Sequence, residues 1–295
     1  MRSVLRWGIY CWLLSGLAWA QAPDYSGMAE MPGRFTYFVV HDTKAGVEPP
    51  WAARVGVLRL SKDGKPNYQS LNITNWGPGQ ELPNDIECCC PLPGRAGEFL
   101  VAESGYYHGR FGRIFRLRVQ RVPGSELYFG EVLGHFQFDQ PGADGDTEDA
   151  RQLEGIACIE QDGQLILVLG RRGGNGQPGE LIWGPLALDP MRFGPTQVRA
   201  LDLGDHRLRA CSDLLWHRGE LLCVASYDPG NLGPFQSFVY SLGKRDWQVD
   251  PQRLWVLDGL KVEALAPCSL PGSELCVGTD DEDYQGIWRP LGERP

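Results

Sequence analysis

Short apolar runs recur along the chain, each closed by glycine, proline or a polar turn. The clearest unit starts at Leu153-Glu154-Gly155-Ile156-Ala157 and turns at Gln161-Asp162-Gly163. It continues through Leu165-Ile166-Leu167-Val168-Leu169 and resumes at Gly179-Glu180-Leu181-Ile182-Trp183. Runs of this length, bounded by turn formers, predict strands. The same order returns four more times. Ile86-Glu87 leads to Phe99-Leu100-Val101 and Ile114-Phe115-Arg116-Leu117. Asp213-Leu214 leads to Leu221-Leu222-Cys223 and Phe238-Val239-Tyr240. Glu263-Ala264-Leu265 leads to Leu275-Cys276-Val277 and Ile287-Trp288. A weaker first copy runs from Ser26-Gly27-Met28 to Phe35-Thr36-Tyr37-Phe38 and Val55-Gly56-Val57-Leu58. The equivalent positions are Ser26, Glu87, Glu154, Asp213 and Glu263, at steps of 61, 67, 59 and 50 residues. A further strand-like run lies between copies, over 68–74, 128–138, 197–203 and 253–257.

Four strands per unit and a period near that of propeller blades, once loop insertions are allowed for, predict an all-β fold. One antiparallel four-stranded unit cannot bury both of its faces, whereas units set radially bury them against each other. The expected architecture is a β-propeller of four-stranded antiparallel blades. Five blades match the five copies, and six with one degenerate blade is the alternative. An irregular β-sandwich competes with both. The last copy has only 33 residues from Glu263 to the end. Either its blade has three strands or residues 21–25 help to close the ring. The 38 glycines and 22 prolines of the 295 residues punctuate strands and form no collagen-like or low-complexity pattern.

Residues 1–20 read as a secretory leader. Arg2 and Arg6 precede an apolar run from Trp7 that ends in Ala18-Trp19-Ala20. Its removal leaves one propeller domain over 21–295, exported to the periplasm or secreted, and a monomer is expected. The formal charge falls from −9 to about −11 once those two arginines leave. A chain this acidic lacks the basic face that nucleic acid requires. No apolar run of membrane-spanning length follows the leader. Eight cysteines follow it as well. Cys88-Cys89-Cys90 should face alternate sides of one strand. Cys211 with Cys223, and Cys268 with Cys276, are either hairpin disulfides or buried thiols.

The repeated acid is the candidate chemistry. If the strand beginning at each acid lines the channel, Glu87, Glu154, Asp213 and Glu263 converge on one axis, with Ser26 in the first copy. Two unit charges ~6 Å apart repel by roughly 3 kcal/mol at an effective dielectric of ~20. Such a ring requires a bound cation, partial protonation or backbone hydrogen bonds to each carboxylate. Calcium suits an all-oxygen set, and the lack of histidine argues against zinc or copper. The alternative is that each acid bonds a neighbouring blade's amides. A second polar set follows the second strand of each copy: His41 and Asp42, Glu103, Arg171, Tyr227 and Asp228, and Asp280. His41, Glu103 and Asp228 are the candidate acid–base groups. Asp42, Arg171, Tyr227 and Asp280 are candidate contacts to a small-molecule substrate or ligand.

The residues at these strand starts resemble the calcium-dependent propeller hydrolases, which include gluconolactonase-like, strictosidine-synthase-like and phytase-like proteins. Asn84-Asp85-Ile86-Glu87, Gly112-Arg113-Ile114-Phe115, Leu153-Glu154-Gly155-Ile156-Ala157, Val262-Glu263-Ala264-Leu265-Ala266 and Gly278-Thr279-Asp280-Asp281 carry the likeness. It is strongest to bacterial phytase-like, esterase-like exported proteins. The resemblance implies calcium held by acids at the channel-lining strands and hydrolysis of an ester, lactone or phosphoester. A non-enzymatic propeller with structural carboxylates is the other reading.

The sequence after the leader contains neither G-x-S-x-G nor H-E-x-x-H. Gly174-Asn175-Gly176-Gln177-Pro178-Gly179 matches G-x-G-x-x-G but leads into a strand, so a turn is expected there. The acidic stretch from Asp144 to Asp149 is expected to be a solvated loop, lacking the glycine and glutamate positions of an EF-hand.

Overall fold

The computed structural model describes residues 24–44, 53–76, 82–105, 111–138, 152–174, 176–244, 251–281, 286–292 and 294. The leader and the Asp144 to Asp149 stretch lie outside the described residues. Among the described residues every regular element is a strand, and no helix is long and apolar enough to cross a membrane.

The strands form five sheets in chain order. The first is β1 (Gly27–Glu30), β2 (Thr36–Val40), β3 (Val55–Leu60) and β4 (Pro66–Ser70). The second is β5 (Ile86–Pro91), β6 (Glu98–Glu103), β7 (Arg113–Arg121) and β8 (Tyr128–Gln137). The third is β9 (Leu153–Gln161), β10 (Gln164–Arg171), β11 (Gly179–Leu188) and β13 (Gln197–Leu201), with β12 (Met191–Phe193) on the far half of β11. The fourth is β14 (Arg209–His217), β15 (Glu220–Tyr227), β16 (Gln236–Ser241) and β17 (Gln252–Asp258). The fifth has three strands, β18 (Val262–Pro267), β19 (Leu275–Thr279) and β20 (Trp288–Leu291). All pairings are antiparallel.

The innermost strands touch in sequence, β1 to β5, β5 to β9, β9 to β14 and β14 to β18, and β18 returns to β1. The ring therefore closes at five blades, which sets aside the six-bladed and sandwich alternatives. The short last blade is joined to the segment preceding β1 by the Tyr25 amide, which donates to the Thr279 carbonyl at 3.1 Å.

Five apolar clusters fill the five gaps between blades. Phe38 stacks on Phe99 with ring centroids 4.6 Å apart in the gap between the first two blades. Leu100, Ile114, Ile156 and Leu167 fill the second gap, and Val168, Leu181, Leu214 and Leu221 the third. Val224, Val239, Val262 and Val277 fill the fourth, and Tyr37, Val39, Ala266 and Cys276 the gap where the ring closes. Because β-strand side chains alternate, each blade feeds two clusters. Cys89 joins the first gap while Cys88 and Cys90 join the second, as their adjacency predicts. The described cysteines are free thiols, so the disulfide alternative is not realised, and Cys268 is the one not fully buried. Gly174 and Gln177 exchange backbone bonds of 2.9 Å, as expected of a turn.

The third and fourth blades meet at glycine. A Cβ on Gly155 would lie 2.7 Å from Leu214 Cγ and 3.1 Å from the Cys211 carbonyl oxygen. Gly155→Ala should therefore cost about 1–3 kcal/mol through overpacking, read from the midpoint of urea unfolding. An unchanged midpoint would refute this blade spacing.

Candidate functional site

A β-bulge at the start of an inner strand places each ring residue. Ile86 faces Glu103 and Cys88 faces Ala102, leaving Glu87 as the extra residue. Leu153 faces Arg171 and Gly155 faces Gly170, leaving Glu154. Val262 faces Thr279 and Ala264 faces Gly278, leaving Glu263. A bulged residue leaves the ladder, and its side chain is re-aimed. In the fourth blade Ala210 faces Ala225 and Asp213 faces Val224, so Cys211 and Ser212 are the extra residues. Asp213 thus corresponds in register to Cys88, Gly155 and Ala264, and Ser212 to the three glutamates.

This corrects the repeat read from sequence by one residue in one blade, and in a strand one residue exchanges faces. The buried Asp213 carboxylate accepts from the Leu214 amide at 2.8 Å and from the Leu265 amide of the next blade at 2.7 Å. Burial pushes its pKa well up, opposed by these two bonds. Asp213 ties two blades together, the alternative foreseen for these acids, and stands outside the cluster that the glutamates form.

Glu87, Glu154 and Glu263 come from three blades and perturb one another. Glu87 is driven well above the usual carboxylate range by loss of hydration, then by Asp85, Glu154 and Glu263. Glu263 is also driven well up, first by loss of hydration, against Lys261 and with Asp280 and Glu154 adding to the rise. Glu154 rises by burial against the pull of Arg172, Arg209 and Lys261. Arg172 Nη1 lies 2.5 Å from Glu154 Oε1, favouring the ionised form of that acid. Lys261, 3% exposed at its side chain, places Nζ 3.1 Å from Glu263 Oε1, 3.1 Å from Asp280 and 3.6 Å from Asp228. Arg209 reaches Asp228 Oδ2 at 2.7 Å.

Beside this group, carboxylate oxygens of Asp42, Asp85 and Glu87 lie within 4.8 Å of one another. Asp85 holds a left-handed backbone, φ 63°, a conformation that aspartate tolerates better than most residues. Its Oδ2 accepts from Ser104 Oγ at 2.7 Å, and its Oδ1 pairs with Lys44. Every blade therefore contributes to one charged mouth.

The other expected site residues divide. Asp42, Asp228 and Asp280 join the mouth. Tyr227 lies half-buried with the Arg207 guanidinium 5.6 Å from its ring centroid. Arg171 turns along its blade to Glu180, and Arg172, one residue on, is the arginine at the mouth. Glu103 is fully buried, and Arg113 grips it with Nη2 at 2.6 Å from Oε1 and Nε at 3.0 Å from Oε2. It also accepts from the Asn84 amide at 2.9 Å, so Glu103 braces the segment leading to Glu87. His41 is 2% exposed, with Nδ1 2.5 Å from the Asp24 carbonyl oxygen and Nε2 2.9 Å from the Tyr68 hydroxyl. Both ring nitrogens are thus engaged away from the mouth. Lys44, Asp85, Arg209 and Lys261 were not anticipated. Asp85 stood inside a recognised motif, whereas the three cations carried no periodic signal.

The opposite end of the channel differs in chemistry. A cavity of about 690 Å³ is lined there by Met28, Cys89, Ala157, Leu215, Trp216 and Leu265, among others.

No protein-family model and no curated protein matches the chain. Among solved structures the chain is similar to the α-L-arabinanase of Cellvibrio cellulosa in complex with arabinohexaose. Identity is 15%, over 92% of both chains, with a TM-score of 0.54. An exo-1,5-α-L-arabinanase from a bovine ruminal metagenomic library is 10% identical over 92% of this chain and 93% of that one, TM-score 0.54. The periplasmic gluconolactonase of Pseudomonas aeruginosa is 14% identical over 92% of this chain and 86% of that one, TM-score 0.46. At such identities the likeness to the arabinanases is one of fold.

Burial lowers the His41 pKa from 6.5 to about 4, against the Asp24 carbonyl. Between these values the unfolded chain binds the proton and the folded chain does not. The His41 contribution is therefore complete above pH 6.5 and is lost as pH falls toward 4. At one decade per 1.36 kcal/mol the loss reaches about 3 kcal/mol. Denaturant melts of the wild type and His41→Gln should converge as pH falls from 7 to 4.5; a gap independent of pH would contradict this assignment.

Proposed function

We infer that the protein is an exported hydrolase acting on an ester, lactone or phosphoester at the charged mouth of the channel, with calcium as its ion. The carrying observation is the convergence of Glu87, Glu154 and Glu263, each the extra residue of a bulge in a different blade. Carboxyls whose environments separate their proton affinities divide acid and base roles between them. Glu263, driven well above the usual range, holds a proton for the leaving oxygen. Glu154, whose carboxylate form Arg172 favours against the burial that raises its pKa, takes a proton from the attacking water. Lys261 holds Glu263 in place, and Arg209 anchors Asp228 beside it. The leader pattern supports export.

The Asp42, Asp85 and Glu87 oxygens fit a hard cation in donor type and mutual spacing. Calcium held there would polarise the substrate oxygen. A specific observation supports the non-enzymatic alternative: Lys44, Arg172 and Lys261 already relieve the acids from within the chain.

Two measurements separate these readings. On a panel of esters, lactones and phosphoesters, the hydrolase reading predicts calcium-stimulated turnover that Glu154→Gln lowers by about 10²-fold or more, with circular dichroism unchanged. Absence of turnover across the panel, with Glu154→Gln altering only the melting temperature, favours the structural reading. Chelator should lower the melting temperature of the wild type and leave Asp85→Asn unmoved. A wild-type melt and turnover indifferent to chelator would remove calcium from the proposal.

A further inference from the structure

Cys268 and Cys276 lie where β18 turns into β19, beside the gap in which the ring closes. Cys276 pairs with Ala266 and Leu275 with Pro267. The ladder ends with the Cys268 amide donating to the Glu274 carbonyl at 3.0 Å, and the Ser273 amide then donates to the Leu270 carbonyl at 3.2 Å. This tight turn sets Cys268 diagonally across the hairpin from Cys276, packed against the cluster that holds it. From the first blade, the Tyr37 hydroxyl comes to 3.4 Å from Cys276 Sγ. Cys276 is buried, while Cys268 is half-buried and reachable from solvent.

The surroundings treat the two sulfurs oppositely. The Cys276 thiol, the Leu270 amide, the Ser273 hydroxyl and the Tyr37 hydroxyl favour the Cys268 thiolate and bring its pKa from 9 to about 6, against a partial loss of hydration. Burial keeps Cys276 protonated, well above the usual thiol range. Cys211 and Cys223 share one apolar cluster as well, but both are buried and no external reagent reaches them. A thiolate in solvent contact beside a second thiol is the arrangement on which disulfide exchange depends.

We propose that Cys268 and Cys276 are a redox dithiol that an external disulfide oxidises to an intramolecular disulfide. The Cys268 sulfur attacks one sulfur of the reagent, whose S–S bond breaks and releases one thiolate. Cys276 loses its proton to that thiolate, and its sulfur attacks Cys268 Sγ. The Cys268 bond to the reagent breaks, and the second half leaves as a thiolate that takes a proton from water. Two electrons pass from the cysteines to the reagent, which ends as two thiols. Cys268 is the attacking sulfur because solvent reaches it and its neighbours favour its thiolate, and Cys276 is the resolving one.

The test treats the reduced full chain with glutathione disulfide at pH 7, without denaturant, then alkylates after unfolding and maps each cysteine by mass spectrometry. The expected product joins Cys268 to Cys276, with the buried Cys88, Cys89, Cys90, Cys158, Cys211 and Cys223 still alkylated. Cys276→Ser should stop at a glutathione adduct on Cys268, and Cys268→Ser should leave Cys276 unmodified. If either variant fails to fold, the wild-type map alone decides. Capture of Cys268 no faster than of the six buried thiols, or a wild-type adduct that never closes onto Cys276, would overturn the proposal.

Discussion

Closing five blades on one axis forces the first residues of their inner strands together, and any charge there must be balanced within a few ångströms. Water cannot screen carboxylates that the ring has partly removed from it. Three glutamates converge under this constraint, and the chain answers with cations from other positions. Arg172 takes Glu154, and Lys261 bridges Glu263, Asp280 and Asp228. Where no cation was placed, backbone amides serve instead, as Asp213 shows by bonding Leu214 and Leu265.

The bulges make this concentration of charge possible. A regular inner strand would point alternate side chains into the gaps on either side, where the apolar clusters lie. The extra residue escapes that alternation, so an acid can occupy the mouth while its neighbours remain in the core: Ile86 and Cys88 are buried on either side of Glu87. The Glu103–Arg113 pair then holds the approach to Glu87 through the Asn84 amide. The same strands run on into the apolar cavity at the far end. The bulged glutamates are thereby gathered at one end of the channel, where acid–base chemistry and ion binding become feasible together.

Much of this was legible in the pattern of residues. The short apolar runs and their turns marked four strands per unit, and the runs at 128–138, 197–203 and 253–257 became β8, β13 and β17 almost unchanged. The predicted outer strand at 68–74 is observed over Pro66–Ser70, and Leu71 and Ile73 beyond it fill the gap beside the second blade. Glu87, Glu154 and Glu263 were correctly seen as equivalent. The Asp213 slip was not visible, since the second extra residue of the fourth blade, with Cys211 at φ 65°, leaves no mark on the hydrophobic pattern. His41 and Glu103 read as acid–base candidates following the second strands of their copies. Both are instead buried and saturated with partners distant in sequence.

What the chain determines by itself is what local physics writes into it: strands, turns, the repeat, and the number of blades that the repeat must bury. Those features depend on neighbours a few residues apart. Which acid faces the axis, which cation neutralises it and which thiol meets which were decided only in the tertiary structure. They depend on register and on contacts between blades, where a shift of one residue reverses a side chain without altering the composition of the strand that carries it.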